Sequence, residues 1–172
     1  MTNAYNPALA ASRSVLRGLI ALNLLFGGLF LLILVASFPG AGMILAQLRE
    51  LPDGEAVRLL GPLRMVMLLG ICAVPLAHIL LTRLLAMVET VRAGDPFVAE
   101  NGRRLLVIAR TLLGLQLLDL AFGAVAIGYL SETDAFSWNF SLTGWVAVLL
   151  LFVLARVFDH GARLREEMEG TV

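Results

Sequence analysis

Apart from arginines near the ends of the runs, two ionisable side chains lie inside long apolar runs, where a charged group is costly. They are His78 and Asp119. On insertion scales such a group costs about 2.5–3.5 kcal/mol, and intramembrane ionisable residues usually mark function. One interpretation is a structural contact between helices, worth about 0.6–2 kcal/mol. The other is a switch in which His78 gains a proton at mildly acid pH and binds Asp119 more tightly.

The sequence contains no signature of catalysis. It has no histidine-glutamate zinc helix, no phosphate-binding glycine loop and no nucleophile elbow. The two histidines and the single cysteine are dispersed, and Cys72 lies in an apolar run where it would pack as a small hydrophobe. We therefore expect a protein that is not an enzyme and that holds no metal or other cofactor.

Four apolar runs must position His78 and Asp119. Hydrophobic residues make up 59% of the 172 residues, charged residues only 15%, and mean hydropathy is +0.89. Soluble domains have about 45–50% apolar and 25% charged residues. The runs cover about 15–38, 63–88, 105–130 and 140–158, and about 20 residues suffice to cross the hydrocarbon. Because lipid offers the backbone no hydrogen bonds, each run must be a helix. The sequence predicts a single all-α domain over 1–172, a four-helix transmembrane bundle.

The depth of the two ionisable residues decides whether they can meet. From the predicted ends of the spans, His78 lies about ten residues, and Asp119 about fifteen residues, from the same membrane face. At about 1.5 Å per residue, their depths differ by roughly 8 Å. A modest shift of either span would bring them level, so we predict that they can pair.

The arginines indicate how the bundle is oriented. All 13 basic residues are arginine, and positive charge near span ends favours the cytoplasm. An N-in, C-in arrangement leaves three arginines outside, namely Arg49, Arg58 and Arg64. It places ten inside: Arg13, Arg17, Arg83, Arg92, Arg103, Arg104, Arg110, Arg156, Arg163 and Arg165. We expect a multi-pass protein of the bacterial inner membrane with both termini in the cytoplasm.

The segments between the predicted spans also contain residues that begin or end helices. The external segment Gly40–Pro62 predicts a short amphipathic helix on the membrane surface. On the cytoplasmic side, Gly94 should end one helix, and Asp95 with Pro96 should begin a short one that bends at Asn101-Gly102 before span three. After span four, the helix should continue into the cytoplasm and stop at Gly170.

Two of these cytoplasmic segments resemble a known family of four-span bacterial membrane proteins, domain-of-unknown-function family 2975. The resemblance rests on Gly94-Asp95-Pro96-Phe97 with Asn101-Gly102-Arg103-Arg104-Leu105, and on the tail Phe158-Asp159-His160-Gly161-Ala162-Arg163-Leu164-Arg165-Glu166. The family brings no established enzymatic activity. Similar proteins are often encoded beside a Cro/C1-type helix-turn-helix regulator, which implies a membrane protein that holds or releases that regulator.

The family motifs suggest where such a partner would dock. The candidate docking residues are Asp95, Pro96, Phe97, Asn101, Arg103, Arg104, Asp159, His160, Arg163, Leu164 and Arg165. The leading hypothesis is a membrane interaction protein that controls a cytoplasmic helix-turn-helix regulator. A small transporter or channel component, or a structural subunit of a membrane complex, remains an alternative. Direct binding of nucleic acid is not expected at zero net charge, and Ala124 with Gly128 could support a homodimer.

The arginine distribution leads to a topology prediction. Cysteines introduced near Pro52 and Glu132 should be labelled from outside intact cells by an impermeant thiol reagent. Cysteines introduced near Asp95 and Glu169 should be labelled only after the cells are opened. External labelling of Asp95→Cys would reverse the predicted orientation.

Overall fold

The part of the chain that the structure describes is helical almost throughout. This computed structural model describes residues 7–38, 55–94, 98–130 and 138–169, with side chains over 9–38, 60–94, 98–128 and 138–163. The helices are α1 (Pro7–Ala36), α2 (Glu55–Arg92), α3 (Ala99–Val125) and α4 (Leu142–Glu169), and a π-helical turn (Ala126–Leu130) extends α3. Each contains a stretch long and apolar enough to cross a membrane: Leu9–Ala36, Leu60–Arg92, Ala99–Gly128 and Leu142–Arg163.

The helices form an antiparallel row in which each packs on its neighbours in sequence. Among the described residues, close backbone approach between helices is confined to α1 with α2, α2 with α3 and α3 with α4. Helix α3 lies inside the row and, with its π-helical turn, carries five of the nine buried apolar residues in the described chain, including Leu105, Ile108 and Ala109. Helices α1 and α4 expose broad apolar faces, as lipid-facing helices do. We call the end where α1 and α3 begin the arginine-rich end.

Small residues and one amide join α1 to α2. Asn23 Nδ2 donates to the Val74 carbonyl at 3.1 Å, in the middle of both apolar stretches. One helical turn further along α1, Gly27 faces Val74 so closely that a Cβ there would lie 2.8 Å from Val74 Cγ1. A glycine at this position lets the two backbones approach, as small residues do in membrane helix pairs.

An arginine caps the end of α1 opposite the arginine-rich end. Ser37 is 2% exposed, and its hydroxyl donates to the Leu34 carbonyl. From α2, Arg64 donates Nε–H to Ser37 Oγ at 3.1 Å and Nη2–H to the Ser37 carbonyl at 2.6 Å, with its guanidinium over the Phe38 ring. The last carbonyls of a helix have no partner within it, and a cation there also complements the helix dipole. Arg64 therefore binds α1 to α2 at this end.

Glycines also admit side chains where α3 and α4 meet. The Trp138 indole, just before α4, packs on Gly123 of α3, and the Gln116 amide packs on Gly144. At the arginine-rich end, a Cβ on Gly102 would lie 3.3 Å from the Asp159 backbone nitrogen. The α3–α4 seam thus depends on three small positions distributed along its length.

The predicted fold class is confirmed: the described chain is all-helical, with four helices long enough to span. The tail continues as helix to Glu169, and Gly94 has the positive φ, +91°, of a helix-ending glycine. The predicted bend at Asn101-Gly102 is wrong, because α3 begins at Ala99 and runs through both residues. Side-chain burial of Asn101 and close packing of Gly102 give these residues roles inside a continuous helix. Of the predicted external segment Gly40–Pro62, residues 40–54 lie outside the described residues, and residues 55–62 are not a separate surface helix but the beginning of α2.

The α1–α2 seam gives a matched pair of variants. Gly27→Ala should place a methyl group against Val74, whereas Gly28→Ala should place one in open space. Both gain the same helix propensity. We expect Gly27→Ala to be about 1–3 kcal/mol less stable than Gly28→Ala, the usual cost of overpacking.

The measurement is denaturant unfolding in detergent, followed by helicity. Equal stability of the two variants would show that α1 and α2 do not pack at Gly27.

Candidate functional site: the arginine-rich end

A buried hydrogen-bonded network joins α2 to α3 at the arginine-rich end. Arg104 Nη1 donates to the Ala86 carbonyl at 3.2 Å and to Asn101 Oδ1 at 3.0 Å. Asn101 Nδ2 donates to Thr90 Oγ1 at 2.9 Å, and the Thr90 hydroxyl donates to the Met87 carbonyl at 2.7 Å. We call Thr90, Asn101 and Arg104 the polar clasp.

Because the polar clasp is largely buried, its hydrogen bonds favour one position of α3 along α2. Asn101 is 1% exposed and the Arg104 side chain 18% exposed. A buried polar group left without its partner costs about 1–3 kcal/mol, so a rotation or slip of α3 that broke these bonds would be penalised. Glu100, one turn before Arg104, lies 3.8 Å from its Nε and supplies an opposite charge. The clasp therefore fixes the register of α3 on α2.

Helix α4 is held against the same part of α3. Gly102, next to Asn101, contacts the α4 backbone at Asp159, and the Ala155 carbonyl lies 3.8 Å from where a Cβ would be. Ala155 and Ala162 of α4 are buried. Asn101 thus contacts α2 and Gly102 contacts α4. These two adjacent residues of α3 fix the positions of both neighbouring helices.

Among the predicted docking residues whose side chains are described, four leave surface that a partner could contact. Arg103, His160 and Arg163 are exposed, and the Asp159 side chain is 49% exposed. Asp159 Oδ2 lies 3.1 Å from Arg163 Nη2, one turn apart, with the acid preceding the base. We call Arg103, Asp159, His160 and Arg163 the docking surface.

A small cavity of about 150 Å³ adjoins the docking surface between α3 and α4. Its lining includes Arg103, Arg156 and Asp159. Asp159 already pairs with Arg163, and neither Arg103 nor Arg156 contacts an acid among the described side chains. Two arginines beside one occupied carboxylate make the cavity complementary to an anionic group.

The predicted docking residues whose side chains are described divide into two groups. Asn101 and Arg104 are directed into the α2–α3 contact, where they serve packing and offer little surface to a partner. Arg103, Asp159, His160 and Arg163 form the docking surface. Residues 95–97 lie outside the described chain, and Leu164 and Arg165 belong to α4 with side chains outside the described set. The docking role stays a prediction for all of these residues, including the four of the docking surface.

The structure does not bring His78 and Asp119 together. Leu76 contacts Gly114, and Ala86 contacts Arg104, so α2 and α3 run in a constant antiparallel register. By this register Asp119 is level with Ile71, seven residues from His78, which is about 10 Å along the axis. No hydrogen bond or ion pair joins the two among the described residues, and His78 Nδ1 is buried without a hydrogen-bond partner there.

Asp119 instead lines a cavity of about 300 Å³ between α1, α2 and α3. The other lining residues are apolar and include Phe30, Met67, Ala73, Leu115 and Phe122. Asp119 is the one ionisable group among the residues that line it.

Several residues that hold the site together carried no recognisable sequence signal. In the sequence, Thr90 is one polar residue at the end of an apolar run. In the structure it is the residue of α2 that belongs to the polar clasp. Arg13 of α1 lies 3.5 Å from Glu89 of α2, an ion pair between residues 76 positions apart in the chain. Only the register of the helices identifies such partners.

Comparison with known proteins gives one match. The family described as "Protein of unknown function (DUF2975)" matches residues 44–172, which include α2, α3, α4 and the entire polar clasp. No curated protein and no solved structure matches the chain.

Proposed function

We propose that this chain, which belongs to the DUF2975 family, is a non-enzymatic membrane protein that binds and controls a soluble cytoplasmic protein. The observation that supports the proposal is the form of α4. The helix continues from the end of its apolar stretch at Arg163 to Glu169, and the last turn of that stretch exposes His160 and Arg163 at the same end of the bundle as Arg103 of α3. A helix that only crossed the membrane would need neither this extension nor exposed charged side chains at its end.

The rigidity of the supporting helices favours recognition. A binding surface is most specific when its residues stand on elements fixed by packing. The polar clasp fixes α3 on α2, and Gly102 places α4 directly on α3. Arg103 and Asp159 therefore keep a constant relation to each other, and a partner meets a preformed surface.

The charges suggest how a partner is held. Arg103 and Arg156 line the 150 Å³ cavity and can take a carboxylate from the partner, since guanidinium groups bind carboxylates through paired hydrogen bonds. The Asp159–Arg163 pair would form the rim of the contact. A helix-turn-helix transcription regulator is the partner class that the family resemblance favours, and the bacterial inner membrane is the location, with the arginine-rich end in the cytoplasm.

A small transport or channel component is the second candidate. The Asp119 cavity favours it, because an intramembrane carboxylate beside a cavity is typical of a ligand or ion pathway. A partner bound at the docking surface and a solute bound at Asp119 are separate expectations, and experiments can distinguish them.

The docking surface can be tested by charge reversal and by truncation. The probe is the helix-turn-helix protein that an adjacent gene encodes, co-expressed with the chain and measured in the membrane fraction. If free docking sites stand at about 100 times the dissociation constant, about 99% of the partner is bound. A tenfold loss of affinity lowers this to about 91%, so the soluble fraction rises from about 1% to about 9%. Arg103→Glu, and truncation before Arg163, should each cause at least this release.

The matched control is Arg17→Glu, which makes the same charge change on an exposed side chain of α1, a helix that packs on α2 and does not approach α4 closely among the described residues. It should leave the partner bound, and all variants should insert normally. Equal retention by wild type, Arg103→Glu and the truncated chain would contradict the proposal. An adjacent genome region without a helix-turn-helix gene would contradict the partner class.

A further inference from the structure

The Asp119 cavity lies apart from the docking surface and is not used by it. Helices α1 and α3 both pack on α2 but do not approach each other closely among the described residues, and the cavity occupies the gap between them. Asp119 is nine residues before the end of the apolar stretch at Gly128, about 14 Å along the helix. The carboxyl group therefore lies at the depth of the hydrocarbon.

The described chain supplies no cation to this carboxyl group. No arginine or histidine side chain in the described ranges lies within ion-pair distance of Asp119. His78, which the sequence suggested as its partner, lies about 10 Å away in depth by the α2–α3 register. A carboxylate in hydrocarbon without a counter-ion is unfavourable. Binding of a cation next to Asp119 therefore lowers the free energy strongly.

We infer that the Asp119 cavity binds a lipophilic organic cation. Its volume of about 300 Å³ is at the lower end of small-molecule sites, and its walls are apolar apart from Asp119. A ligand that fits must present hydrocarbon or aromatic groups to Phe30, Phe122 and Leu115 and one positive charge to the carboxylate. Because the cavity lies between membrane-spanning helices, a cation that partitions into the bilayer can reach it from the lipid.

Neutral and anionic ligands fit these walls less well. A neutral apolar molecule would leave the carboxylate without a partner, and an anion would place like charges together in a medium of low dielectric constant. Two aromatic residues, Phe30 and Phe122, line the cavity, and aromatic rings attract cations. Charge and shape therefore select the same class of ligand.

The experiment measures binding of radiolabelled tetraphenylphosphonium to the purified full-length protein in detergent by equilibrium dialysis. Wild type should bind it saturably, and Asp119→Asn, which keeps the shape of the side chain, should weaken binding at least about tenfold. Ala73→Leu should weaken it by filling the cavity from α2. Ala124→Leu, on the exposed face of α3, and His78→Ala should bind as wild type does.

Tetraphenylborate serves as the matched probe because it has nearly the same shape and the opposite charge. Wild type should bind it no better than Asp119→Asn does, because the carboxylate repels an anion. Absence of saturable tetraphenylphosphonium binding to wild type, or equal affinity of wild type and Asp119→Asn, would overturn the inference. Asp119→Asn should leave the helix-turn-helix partner bound at the docking surface, so the two proposals can fail separately.

Discussion

The buried amide of Asn101 is the constraint on which the positions of three helices depend. Lipid provides no hydrogen bonds, so a polar group inside a row of apolar helices must find its partners within the protein. The Asn101 amide donates a hydrogen bond to Thr90 of α2 and accepts one from Arg104 of its own helix. Arg104 also donates to the Ala86 carbonyl of α2. Apolar contacts alone would tolerate a slip of α3 along α2, whereas these bonds would not. Gly102 then admits α4 at the next position.

The features that the sequence predicted correctly are the formation of the four helices and the places where two of them end or continue. Long apolar runs become helices in a membrane because a helix satisfies its backbone hydrogen bonds within a single segment, and four such helices are present in the described chain. Gly94 ends α2 because a glycine accepts positive φ without strain. The charged tail, which contains no proline, continues the helix to Glu169, and Gly161 within it does not interrupt the helix.

The features that sequence reasoning missed depend on which helix faces meet. Asn101-Gly102 predicted a bend because both residues are common in turns, but in α3 the amide and the bare glycine face two neighbouring helices. His78 and Asp119 were expected to pair because their depths were counted from predicted span ends. Helix α2 continues to Arg92 and α3 already begins at Ala99, and the register set by the polar clasp keeps the two apart. Of the predicted docking residues, the same register turns Arg104 inward and leaves Arg103 exposed.

A double-mutant cycle between Thr90 and Asn101 tests the constraint most directly. Thr90→Val, Asn101→Ala and the double variant are unfolded by denaturant in detergent, and Thr82→Val replaces Thr90→Val in a control cycle. The Thr82 hydroxyl donates only within α2, to the carbonyls of His78 and Ile79. We expect a coupling free energy of about 1 kcal/mol or more for Thr90 with Asn101, and additivity within about 0.3–0.5 kcal/mol for Thr82 with Asn101. Additivity in both cycles would show that the amide does not join α2 to α3, and the account of how this end of the protein is held would be wrong.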